Sequence, residues 1–251
     1  MSDRNAAPFA PVRPRGETAP LVVAIDGPSG SGKSSTARGV AQELGLAFLD
    51  TGAMYRAVTW LVLHSQVSAD DAAAVAALVE SADLAVELDP TEPAVTINGT
   101  DVTEAIREPV VSAAVSSVAT NLAVRANLVA RQQQIIASAE GGIVAEGRDI
   151  TTVVAPDAPV RVLLVADPSA RVARRQAELG QRVTSADVTD QVIRRDRDDS
   201  TVAQFTEAAE GVVVVDSTHL TLTEVIDRIV DLARPSLQPA SAGAGSSSVS
   251  R

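Results

Sequence analysis

The chain has 251 residues, no cysteine and a formal net charge of −11 at pH 7. Without a thiol there is no disulfide framework, thiolate zinc site or cysteine nucleophile, and the acidic balance opposes bulk binding to nucleic acid or anionic lipid. The longest apolar runs, such as Val212–Val215 and Val162–Ala166, are strand-length, and Pro8, Pro11, Pro14 and nearby charges break any signal-peptide core, so the expectation is a cytoplasmic protein with no membrane partner.

Residues 1–19 and 235–251 are poor in large apolar side chains and read as disordered tails. Residues 20–234 remain for one folded unit. Leu21–Ile25 is a short apolar run ending in a glycine-rich turn, and Lys33–Leu44 follows with helical spacing at Ala37, Val40, Ala41 and Leu44. Leu46–Leu49 gives a second strand ending at Asp50. Ala53–Leu63 gives a second helix and Asp70–Ser81 an alanine-rich third.

The period then shortens. Leu84–Leu88, Ala94–Ile97 and Thr100–Val102 read as three short strands, with Asn98-Gly99 as a hairpin signal between the last two. They form a small antiparallel insertion, placed at about residues 84–118. Helical spacing resumes over Val110–Ala119 and Leu122–Ala139. Ile143–Ala145 is a buried strand leading into Glu146-Gly147-Arg148-Asp149, Val160–Val165 a strand before Asp167, and Ser169–Leu179 a helix. Asp187–Ser200 reads as a charged helix, Val212–Val215 as the last strand and Leu222–Ala233 as the closing amphipathic helix. Strands alternating with helices predict an α/β fold with a parallel sheet covered on both faces, its ligand crevice outside the carboxyl ends of the strands.

The turn Gly27-Pro28-Ser29-Gly30-Ser31-Gly32-Lys33-Ser34 matches G-x-x-x-x-G-K-S/T, with a strand before it and a helix after it. Glycines let backbone N–H groups encircle phosphate oxygens, and the helix adds its positive end. Lys33 would bridge the outer phosphates of a nucleoside triphosphate and the Ser34 hydroxyl would ligate Mg²⁺; Ser35 completes the candidate donor segment. Lys33 is also the chain's single lysine, against twenty arginines. A compact ammonium is hard to replace there with a planar guanidinium.

Three further segments each carry two readings. Asp50-Thr51-Gly52-Ala53-Met54-Tyr55-Arg56 is either a capped helix start or a place where Arg56 meets an acceptor's phosphate. Arg148 and Asp149 form either a structural ion pair or a grip on an anion and a hydrogen-bond donor. Eight arginines fall between Arg161 and Arg197; with Asp196, Asp198 and Asp199 interleaved they are either a solvated helix face or, in one or two cases, a lid over the transferring group. His64 and His219 read as bystanders. A phosphate acceptor needs no strong base, because its second pKa of about 6 leaves it mostly deprotonated at neutral pH.

Taken in order, Ile25–Ser34, Leu49–Arg56, Glu146–Val154, Pro156–Val160 and the arginine–aspartate run at Arg195 resemble bacterial cytidylate kinases over residues 20–234. The resemblance implies a P-loop kinase core with a five-stranded parallel sheet flanked by helices, a small antiparallel insertion and a helical lid at about 170–200. It implies γ-phosphate transfer from ATP to CMP or dCMP with Mg²⁺, by a monomer acting on small molecules. By motif position, Thr51, Tyr55, Arg56 and Arg148 would line the acceptor's phosphate and ribose. Asp149, Ser116 and Arg125 would read the cytosine, Arg195 and Asp199 would hold the sugar, and Arg174 would serve the lid; Lys33, Arg148, Arg174 and Arg195 would be catalytic. One departure stands out. Where the family carries another arginine, this chain has Thr201, Val202 and Ala203, followed by Gln204-Phe205-Thr206. Arg194 or Arg197 would have to compensate, or acceptor binding would be weaker. A kinase for another small acceptor, and a nucleotide-binding regulator without transfer, are the alternatives.

Overall fold

The computed structural model describes residues 20–179, 194 and 196–237. Residues 1–19, the part of the expected lid at 180–193 and 195 (with Arg182 and Arg195), and 238–251 lie outside the described residues. In chain order, β1 (Val22–Asp26), α1 (Lys33–Leu44), β2 (Ala47–Asp50), α2 (Thr51–Leu63) and α3 (Ala72–Ser81) come first. β3 (Leu84–Val86), β4 (Val95–Ile97) and β5 (Thr100–Asp101) follow, then a 3-10 turn at Ala105–Arg107, α4 (Pro109–Ala119) and α5 (Leu122–Ser138). β6 (Ile143–Gly147), a π-helical turn at Ile150–Val154, β7 (Val160–Val165) and α6 (Pro168–Leu179) come next. A helical turn at 196–199, β8 (Val213–Asp216) and α7 (Leu222–Leu237) complete the described chain.

The main sheet has the order β2-β6-β1-β7-β8, and every pairing is parallel. β3, β4 and β5 form the separate antiparallel sheet. Its tight turn has positive φ at both Asn98 (50°) and Gly99 (75°), the conformation that lets a two-residue hairpin follow strand twist. Alternation along the strands divides the core. Val23, Ile25, Phe48 and Val144 pack with α1 and α7 through Val40, Ala41, Val225 and Ile229. Ala24, Leu49 and Ala145 face Met54, Val58, Val115 and Leu128 on the helices of the opposite layer. Both faces are covered, which is why the strands read as unbroken apolar runs.

Boundaries differ from the sequence reading in instructive places. β6 continues through Glu146 and Gly147, because a central strand offers ladder partners on both sides: Glu146 pairs with Ile25 of β1 and Asp50 of β2. Strand propensity is outweighed by this tertiary pairing. α7 runs past Pro235 to Leu237; proline in a last turn removes one backbone donor without stopping the helix. Asp26, the polar residue at the carboxyl end of β1, turns inward and is fully buried. Its carboxylate accepts from the Ile150 and Thr151 amides at 2.9 and 2.8 Å and from Thr151 Oγ1 at 2.6 Å, tying β1 to the π turn. Among the described residues no helix is long and apolar enough to cross a membrane.

Candidate active site

The carboxyl ends of β1, β2 and β6 open into a cavity of about 150 Å³, the crevice a parallel sheet offers a ligand. Ser29, Gly30, Gly32, Lys33, Ser34 and Ser35 form one wall. Gly30 (φ +75°) and Gly32 (φ +92°) take left-handed backbone that L side chains rarely adopt, and a Cβ on Gly30 would stand 2.6 Å from the Arg171 carbonyl oxygen. The loop can therefore wind tightly against α6, with Gly32 capping α1. Lys33 Nζ donates to the Pro28 carbonyl at 2.9 Å, across the loop it belongs to.

The Ser34 hydroxyl donates to Glu146 Oε1 at 2.6 Å. Burial lifts the Glu146 carboxyl to about 7, and neighbouring Asp50 adds to the rise; Lys33, Ser34 and Arg56 oppose it. Burial also disfavours charge on Asp50, yet the Arg56 guanidinium at 3.0 Å and the Ala53 amide at 2.7 Å hold it below the usual carboxylate range. Two adjacent carboxyl groups are thus held in different protonation states near neutral pH, Asp50 ionised and Glu146 close to its midpoint. Asp50 also caps α2, so the capped-helix reading of this segment is realised alongside the exposure of Thr51, Tyr55 and Arg56 to the cavity. Thr51 Oγ1 donates to the Glu146 carbonyl at 2.7 Å. The Tyr55 hydroxyl is buried with no hydrogen-bond partner, and burial raises its pKa well above that of a free phenol.

The opposite wall comes from α4, α5 and the segment after β6. Arg125 forms a tight ion pair with Asp149. Burial raises the Asp149 carboxyl above its ordinary range, and Arg125 offsets the rise only in part. Ser116 Oγ stands 3.5 Å from Asp199 Oδ1 but does not line the cavity; its neighbours Val115 and Ala119 do. Arg148 is packed among Asp199 (3.1 Å), the Gly27 carbonyl (2.5 Å), Asp196 (3.8 Å) and the Phe205 ring.

The helical turn at 196–199 touches both walls. Asp196 accepts the Ser29 amide at 2.8 Å and pairs with Arg171, which also donates to the Ser29 carbonyl at 3.1 Å. Asp199 reaches Arg148. Arg174 lies behind the loop, its guanidinium bonded to the Ser31 carbonyl (3.2 Å), Ser217 Oγ (2.9 Å) and the Ser217 carbonyl (2.6 Å). Arg175, one residue on, lines the cavity instead. Arg197 pairs with Asp198 at 3.1 Å, its side chain is 73% exposed, and it does not line the cavity. Arg195 lies outside the described residues.

The sequence motifs contain Glu146, Arg171, Arg175, Asp196 and Phe205 but assign none of them a site role of its own. Glu146 was visible as a polar residue at a strand end beside the loop. Of two adjacent arginines on α6, only the helix rotation decides which faces the cavity, and nothing in the one-dimensional pattern ties Asp196 to Ser29, 167 positions away.

A phosphate loop at the end of a central parallel strand, faced by arginines and carboxylates across one crevice, defines a P-loop kinase. The comparisons narrow the class. A family profile described as Cytidylate kinase matches residues 23–235. A cytidylate kinase of Cutibacterium acnes is 59% identical over 225 residues, covering 88% of this chain and 99% of the relative. One from Streptomyces avermitilis is 44% identical, covering 84% and 92%. A bifunctional pantoate ligase/cytidylate kinase of Prochlorococcus marinus is 46% identical, covering 85% of this chain and 43% of the longer relative. The chain belongs to the cytidylate kinase family.

Proposed function

We propose that the crevice transfers the γ-phosphate of ATP to CMP or dCMP, giving ADP and CDP or dCDP. The family match over residues 23–235 carries this reading, and the donor loop facing an acceptor wall in one cavity supports it. The bond between the β and γ phosphates breaks and an acceptor phosphate oxygen forms the new one. That oxygen is already mostly deprotonated at neutral pH, so positioning and charge neutralisation suffice.

On this reading the backbone from Gly27 to Ser35 cradles the donor, and Lys33 exchanges the Pro28 carbonyl for phosphate oxygens. Thr51, Tyr55, Arg56 and Arg148 meet the acceptor's phosphate and ribose. The Arg125–Asp149 pair reads the cytosine edge; a guanidinium and a carboxylate side by side present donors and an acceptor to the base. Asp199, with Arg195, takes the sugar. Arg174 we assign to bracing the donor loop, since its hydrogen bonds go to Ser31 and Ser217.

The donor set around Ser34 is all oxygen: its own hydroxyl, with Glu146 and Asp50 behind it. Such hard ligands suit Mg²⁺, which Ser34 would hold. Held there, it would supply positive charge to offset that of the phosphates. We read the enzyme as a cytoplasmic monomer with small-molecule substrates and neither nucleic acid nor membrane as partner; the net charge of −11 supports the first exclusion.

Coupled ATP consumption with Mg²⁺ across CMP, dCMP, UMP, AMP and shikimate tests the proposal. Turnover should be fastest with CMP and dCMP. Turnover no higher than background on both would sink it.

A further inference from the structure

The Arg148 guanidinium is held along its edge by oxygens: Nε donates to Asp199 Oδ2 at 3.1 Å, Nη1 to the Gly27 carbonyl at 2.5 Å, and Nη2 lies 3.8 Å from Asp196 Oδ1. Its Cζ lies over the Phe205 ring, 4.7 Å from the centroid. Phe205 has no exposed surface and is wedged among Leu163, Val165, Ala203 and Val212. The segment 201–206 brings no cation to the crevice. It brings Ala203 to the wall and a buried ring beneath an arginine.

We propose that Phe205 is a positioning residue for the acceptor phosphate, acting through Arg148. The edge partners occupy the same N–H donors that a phosphate would need, so some of these bonds must be exchanged when an anion arrives. The ring makes no such claim. Its negative face attracts the cation and holds it in place without an oxygen acceptor that a phosphate would have to displace. Arg148 therefore changes partners without losing its orientation, and the side-chain entropy of a free arginine is not lost again at each binding event. An aliphatic residue of similar volume would fill the space but present no negative face. The proposal rests on the reading of Arg148 as a ligand of the acceptor phosphate.

The test replaces Phe205 in the full chain with mono-, tri- and pentafluorophenylalanine, and separately by Phe205→Leu, and reads KM for CMP, KM for ATP, kcat and the thermal midpoint. Fluorination drains the ring face while nearly preserving its shape, so folding is not at issue. KM for CMP should climb in steps, to about tenfold with the pentafluoro ring, while KM for ATP moves by less than about twofold. Phe205→Leu should raise KM for CMP similarly and also lower the thermal midpoint. A KM for CMP that stays flat along the fluorinated series overturns the proposal and leaves Phe205 as packing alone. Arg148→Lys separates the two failures. If it leaves KM for CMP unchanged, the reading of Arg148 falls and the proposal with it; if it raises KM while fluorination does not, only the role of Phe205 falls.

Discussion

The Ser34 hydroxyl donates to Glu146 Oε1 at 2.6 Å, and Glu146 stands in register with Asp50 on the neighbouring strand. A hydroxyl assigned to the metal is thus oriented by a carboxyl group that β6 holds rigidly. Groups of this kind, one step behind a metal ligand, commonly change metal affinity or activity about 10- to 100-fold when altered. Glu146→Gln keeps an oxygen acceptor for Ser34 but loses the charge. The Mg²⁺ concentration giving half-maximal rate should rise about tenfold or more at saturating ATP and CMP. An unchanged Mg²⁺ titration would show that Glu146 only fills space.

The same substitution has a pH signature in the metal-free protein. Folding raises the Glu146 carboxyl from 4.5 to about 7, so the folded state binds more protons than the unfolded chain between those values. Its contribution to stability is complete below about pH 4.5 and is lost as pH climbs through about 7. Glu146→Gln, always neutral, does not undergo this loss. Relative to the variant, the parent's thermal midpoint should fall between pH 5 and 8, by an amount on the order of a few kcal/mol in stability. Parallel midpoint curves would refute the shift.

Lys33→Ala removes the one ammonium group of the donor loop and its bond to the Pro28 carbonyl. Charge placed where the transition state develops is worth about a hundredfold to a thousandfold in rate. kcat should drop at least that far, with the circular dichroism spectrum unchanged. A variant that still turns over at the parent's rate contradicts the assignment, and a parent that binds ATP without turnover would point to a regulator.

Asp149→Ala leaves Arg125 buried without its carboxylate partner, so the variant should be less stable as well as less selective. A site that hydrogen-bonds a base edge discriminates strongly, since a mismatched edge leaves buried groups unpaired. The ratio of kcat/KM for CMP over UMP should fall by about tenfold or more. Asp149→Asn, which keeps the shape, controls for the stability loss. An unaltered ratio in both variants would remove Asp149 from base reading.

The glycine loop, the alternation of strands with helices and the small antiparallel element were legible because they depend on short-range signals. Gly27–Ser34 carries its own backbone chemistry, and Asn98-Gly99 its own turn. The wall facing the loop was legible in part: Tyr55, Arg56, Arg125, Arg148, Asp149 and Asp199 all line the crevice. What remained hidden is set by pairings remote in sequence. Asp26 looks like its fellow strand-tip acids, yet the π turn at 150–154 supplies it with buried donors that only the sheet brings near. Phe205 follows a segment defined by what it lacks, and its role depends on the guanidinium above it.

Arg174 poses the clearest choice between a residue that moves with the reaction and one that holds the site still. Its neighbours in sequence, and the resemblance, suggest a lid. Its hydrogen bonds instead join the Ser31 carbonyl of the donor loop to Ser217 beyond β8, where Ser217 Oγ also donates toward Ser31. A brace of this kind sets the shape of the loop before ATP arrives. Removing it should weaken ATP binding and lower stability, because the Ser31 and Ser217 carbonyls lose a charged donor worth about 1.5–3 kcal/mol per bond at most. Arg174→Met, which retains much of the side-chain volume, should raise KM for ATP about fivefold to tenfold and lower the thermal midpoint, with KM for CMP nearly constant. A residue that instead contacted the transferring phosphoryl group would show a fall in kcat of a hundredfold or more with KM for ATP and the midpoint little changed, about the loss that follows removal of a transition-state donor. The two patterns do not overlap, so one set of steady-state curves and a melting experiment decide between them.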